Sequence, residues 1–117
     1  MSNYEKWKTV DIPYTVPYNF PYEPYVIGRK SELPLFSTRF DFGGNDKVSF
    51  CYEMSLRDMQ FIVLPKCSVI HYPHEKIEFW STRSYERAVE QWHEFVKDLR
   101  KKYPHKKVID HYGEPKK

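Results

Sequence analysis

Four prolines crowd one early stretch: Pro13, Pro17, Pro21 and Pro24. Proline fixes its own φ and pushes the residue before it to extended conformations. The opening segment, residues 1–24, is therefore expected to be an extended, non-helical arm carrying Tyr14, Tyr18, Phe20 and Tyr22. Such an arm has little to bury against itself and needs a surface to lie on. The rest of the chain must supply that surface with few aliphatics, because mean hydropathy is low and 18% of the residues are aromatic, ten of them tyrosines. At 117 residues the chain suits one domain with a core built from large rings.

Beyond the arm, Tyr25–Ile27 reads as a short strand stopped by Gly28, and Arg29–Pro34 as a turn. Leu35–Phe42 reads as loop, and Gly43 and Gly44 break the chain. Val48, Cys51, Tyr52, Ser55, Leu56 and Met59 then recur at helical spacing on one face, with Asn45 or Asp46 as the cap. Phe61–Leu64 and Ser68–Tyr72 read as two further strands, each ended by a proline. The clearest element is a closing helix in which Tyr85, Val89, Trp92, Val96, Leu99 and Tyr103 repeat. Ser81, Thr82 or Ser84 can cap it, and Arg100, Lys101 and Lys102 suit its negative C-terminal dipole. Such a meagre set of strands predicts sheet edges that something else must pair.

The net charge of +3 is mild, and the lysines near the end of the chain read as a solvated helix terminus and tail. A basic nucleic-acid-binding protein is the weakest reading, since no aromatic-basic interleaving supports it. No apolar run is long enough to span a membrane, and Met1–Thr9 does not read as a signal peptide. Cys51 and Cys67 have no zinc-motif spacing and sit among apolar neighbours, which predicts buried free thiols; one disulfide is the alternative.

Few residues offer chemistry. His71 and His74 flank a proline after an apolar strand, and neutral imidazole binds transition metals; hydrogen-bonded histidines at a strand end are the plainer reading. Asp46 follows a Gly-Gly-Asn turn at a helix start. It can act as general base on an acceptor hydroxyl or simply cap the helix. Glu23, between Tyr22 and Pro24-Tyr25, can meet sugar hydroxyls, and Glu53 reads as a helix residue beside the apolar stripe. There is no Asp-x-Asp pair, P-loop, Rossmann fingerprint, nucleophile elbow or HExxH.

Several strings in order, from Asn3 to Tyr103, resemble one family. Tyr22-Glu-Pro-Tyr-Val-Ile27 resembles an E-P-Y/F-V segment, and Phe36–Phe42 a Y-D-x-R-F region. Asp46-Lys-Val48 with Glu53 resembles N-K-V followed by E-L. Phe61–His74 is similar to F-x-V-L-P … V-x-H-x-P-H. These are features of glycosyltransferase family 49, which holds the LARGE-type and beta-1,4-glucuronyltransferase enzymes. The resemblance implies an α/β chain, the C-terminal portion of a GT-A-type nucleotide-diphospho-sugar transferase fold, with short strands plus two helices over residues 1–103; residues 104–117 read from their own composition as a charged, mobile tail. The resemblance also implies a Golgi enzyme that transfers glucuronic acid from UDP-glucuronic acid to a glycan acceptor, with Mn²⁺ as cofactor. On this reading His71 and His74 are metal ligands, Asp46 is the catalytic acid-base position, and Glu23 and Tyr25 line the acceptor. Family members usually carry Asn where this chain has Asp46. The Asp-x-Asp half and any membrane anchor would lie before this region, so a fragment or truncated form, inactive alone, is expected. A UDP-N-acetylglucosamine-dependent beta-1,3-transferase and a non-catalytic carbohydrate-binding module are the alternatives.

Overall fold

The computed structural model of the chain describes residues 1–40, 44–75 and 82–113. In order it forms α1 (Tyr4–Thr9), β1 (Tyr14–Val16), α2 (Asp46–Leu56), β2 (Phe61–Val63) and α3 (Thr82–Lys102). Helices with an antiparallel strand pair are compatible with the α/β class.

The first departure from expectation is α1, inside the stretch read as non-helical. The prolines begin only at Pro13, so nothing prevents a helical turn before them. Asn3 caps it, its side chain accepting from the Lys6 amide at 3.2 Å. The Trp7 indole donates to the Cys67 carbonyl at 2.9 Å, pinning α1 to the turn after β2. The arm itself supplies β1, which pairs with β2 in the register Tyr14↔Val63, Thr15↔Ile62, Val16↔Phe61. Tyr14, Val16 and Phe61 point inward, whereas Thr15 and Ile62 are exposed.

Two expected strands are absent among the described residues. Tyr25–Ile27 and Ser68–Tyr72 carry no ladder bonds, and their apolar side chains are exposed. A strand exists only where its N–H and C=O groups meet a partner, and among the described residues no ladder reaches these two segments.

Helix α2 is buried on more than the single face expected. Tyr52 and Leu56 enter a cluster with Phe40, Trp92, Phe95, Val96, Leu99 and Val108. On its other side Phe50, Cys51 and Met54 enter a second cluster with Tyr14, Val16, Tyr22 and Phe61. The helix therefore separates two cores and holds both together. Asp58, at φ 57°, takes the left-handed position just past its end. Helix α3 starts where expected, although Ser81 lies outside the described residues, and presents Trp92, Phe95, Val96 and Leu99 to the first core. Trp92 is its centre, at 0% exposure. Tyr85, counted in the stripe, is exposed.

Where a mobile tail was expected, residues 105–113 fold back. Val108 and Asp110 are buried. The Val108 carbonyl accepts from the Arg100 guanidinium at 3.1 Å. The Tyr52 hydroxyl both donates to the Ile109 carbonyl (2.9 Å) and accepts from its amide (2.8 Å). His93 Nδ1 and Asp110 Oδ2 lie 2.5 Å apart, and the His111 ring stacks on Phe20 at 4.0 Å. The stretch looks charged in sequence because only three or four of its side chains turn inward. Residues 114–117 lie outside the described residues.

Candidate functional site

Two groups of sequence-singled residues gather at two places. The first is the start of α2. Asn45 sits in the left-handed region at φ 65°, and its side chain does not cap the helix; instead Asn45 Oδ1 accepts from the Tyr112 hydroxyl at 2.8 Å. Asp46 is the first helical residue, half-buried, and its carbonyl accepts from Ser49 Oγ at 2.9 Å. At this position a carboxylate gains from the helix dipole. Phe42 and Gly43 of the preceding turn lie outside the described residues.

The Glu23–Tyr25 segment runs against the same helix. Lys47, next to Asp46, places Nζ over the Tyr25 ring, 5.2 Å from its centroid. One turn further, Cys51 Sγ faces the Pro24 carbonyl at 3.9 Å. Burial pushes the Cys51 thiol up to about 11; the nearby Glu23 carboxylate adds to the rise and Lys47 opposes it. Glu23, Tyr25 and the first turns of α2 thus share one neighbourhood, in which the Glu23 and Tyr25 side chains are exposed and Asp46 is half-buried. A pyranose hydroxyl face suits such a surface: a ring to stack on and carboxylates to accept.

The second place is the segment after β2. His71 and His74 are both exposed, with their Nε2 atoms 3.0 Å apart, and His74 Nδ1 donates to the Glu75 carbonyl at 2.8 Å. A ring nitrogen fixed by a backbone carbonyl leaves the other nitrogen as the acceptor or ligand. The pair supplies two converging imidazoles, a donor set that borderline transition metals accept. Among the described residues, no group of three or more His, Cys, Asp or Glu converges to complete a metal site, and no hydrogen bond joins this pair to Asp46, Glu23 or Tyr25.

A cleft of about 840 Å³ opens beside the Tyr25 segment, and Glu23, Asp46, His71 and His74 are not among its lining residues. Tyr25 and Val69, the latter two residues before His71, both line it.

Sequence reasoning missed Lys47, Tyr112 and the His93–Asp110 pair. Lys47 reads as any surface lysine, and the other contacts depend on the fold-back after α3, which no periodicity announces. Glu53 is now placed: it is buried and accepts from Lys102 Nζ (3.0 Å) and the Tyr103 hydroxyl (3.1 Å), with Arg57 at 3.6 Å. It ties α2 to α3 and stands away from the helix start.

The family described as the glycosyl-transferase for dystroglycan matches residues 1–104. Human xylosyl- and glucuronyltransferase LARGE1 is 33% identical over 107 residues, which is 87% of this chain and 14% of the relative. LARGE2s of Danio rerio, of the same printed activity, is 36% identical over the same shares, and LARGE1 of Gallus gallus is 33% identical. The chain thus spans about one seventh of the length of the curated relatives it matches. No solved structure matches it.

Proposed function

Because this chain belongs to the family of the glycosyl-transferase for dystroglycan, we propose that it is the carboxyl-terminal part of a GT-A-type domain transferring glucuronic acid from UDP-glucuronic acid to a xylose-terminated glycan. The observation that carries this reading is the family match over residues 1–104, together with relatives whose names state xylosyl- and glucuronyl transfer. His71 and His74 would hold Mn²⁺ from one side, which fits their two converging nitrogens. The carboxylate ligands would come from outside the described residues. When bound, the cation neutralises the diphosphate of the departing UDP. Asp46 would act as the base that receives the proton of the acceptor hydroxyl, and Glu23 with Tyr25 would hold the acceptor sugar. The enzyme would work in the Golgi lumen, anchored by a segment outside this sequence; among the described residues no helix is long and apolar enough to cross a membrane.

The test compares the chain alone with the chain joined to the remainder of a family domain, assayed with UDP-glucuronic acid and UDP-N-acetylglucosamine, with Mn²⁺ or EDTA. We expect no turnover by the 117 residues alone. We expect glucuronyl transfer, sensitive to EDTA, by the joined protein. His71→Ala should then cost more than the roughly 10–100-fold that loss of a supporting partner costs a metal site. Turnover by the chain alone would overturn the partial-domain reading. Full activity of the His71→Ala protein would overturn the ligand assignment, and exclusive use of UDP-N-acetylglucosamine the donor.

A further inference from the structure

The chain exposes far more surface than a finished domain. Its accessible area is 9305 Å², whereas a folded protein of 14.3 kDa exposes about 6,800 Å². The excess, on the order of 2,500 Å², exceeds one side of a standard protein interface, which is about 800 Å². The radius of gyration agrees: 16.1 Å, against about 13 Å for a compact domain near this length.

Much of the uncovered apolar surface is concentrated in one place. The cleft described above is walled by Trp7, Tyr25, Ile27, Phe61, Ile62 and Val69 among others, and none of its lining residues carries a charge. In a chain with 30% charged residues that is selective. Ile27 is 94% exposed, Val69 66% and Ile62 57%. Single exposed aliphatics need no explanation, but a contiguous uncharged patch beside strands with free edges does. A wall without cations is a poor receiver for a diphosphate or a nucleic-acid backbone. It has the chemistry of a protein interior cut open.

We propose that this cleft is the docking face for the remainder of the glycosyltransferase polypeptide, the six sevenths of its relatives' length that this chain does not represent. An uncharged apolar element of that remainder would seat in the cleft, against Tyr25, Ile27 and Val69. It would pair the idle backbone groups of both segments and so turn them into strands. This rests on the family reading, but on neither the donor sugar nor the metal.

The experiment is a chimera in which this chain replaces its 107 matched residues in human LARGE1, compared with the isolated chain by amide hydrogen exchange. We expect exchange over residues 24–28 and 61–70 to slow by tenfold or more in the chimera. Ile27→Lys should abolish that protection, and Leu35→Lys, equally exposed but outside the cleft, should leave it intact. Unchanged exchange in the chimera overturns the proposal. So does a concentration-dependent dimer of the isolated chain that protects the same residues, which would assign the face to a second copy. Transfer activity is not read, so a wrong donor assignment cannot produce either result.

Discussion

The two cysteines differ more in their surroundings than their similar apolar neighbours suggest. Cys51 is 1% exposed on the helix that joins the cores, and Cys67 lies exposed in the turn after β2; neither is bonded. The expectation of two buried thiols fails at Cys67 because Val69 and Ile70, which made its environment look interior, are themselves exposed. A thiol reagent at pH 8 should therefore modify one cysteine promptly in the native chain and two in denaturant, and a Cys67→Ser chain should react only when unfolded. The raised Cys51 pKa also has a sign. The fold favours the neutral thiol, so its contribution is fully present below the ordinary value of 9 and fades as pH rises towards about 11. Urea titrations across that window should show a steeper loss of stability for the parent than for Cys51→Ala. Other site residues were legible one at a time. Asp46 stands in the first turn of α2, near which either it or Asn45 was expected as the cap, and His71 and His74 meet through their Nε2 atoms, which their spacing alone did not announce. That Tyr112 would bridge to Asn45 was invisible, because a hydrogen bond across 67 positions leaves no local pattern.

The elements divide by how much of their stabilisation is local. Helices α2 and α3 announce themselves through periodicity, since a buried stripe must recur every three or four residues. Strands have no such autonomy. Phe61–Val63 forms because the arm brings Tyr14–Val16 alongside, and Tyr25–Ile27 does not because nothing arrives. Glu53 is the polar fastening between the two long helices. Replacing it with Ala removes its bonds to Tyr103 and Lys102 and should cost about 1.5–3 kcal/mol by denaturant unfolding. Leu99→Ala, in the core on the partner helix, should cost about 2–5 kcal/mol. If Glu53→Ala proves neutral, the helices are held by their apolar contact alone.

At the scale of the whole molecule, the family match stops at residue 104, but the packing does not. Val108 closes the core against α3, Asp110 meets His93, and His111 lies flat on Phe20. A boundary drawn by kinship and one drawn by structure therefore disagree by about one short loop. A version ending at Tyr103 keeps nearly everything homologous yet uncaps the pocket that holds Trp92. Indole fluorescence should report wetter surroundings, and stability should drop by about 3 kcal/mol or more, the scale of a large core truncation. Anyone trimming this protein by its family limits would be removing the lid of the box along with the label.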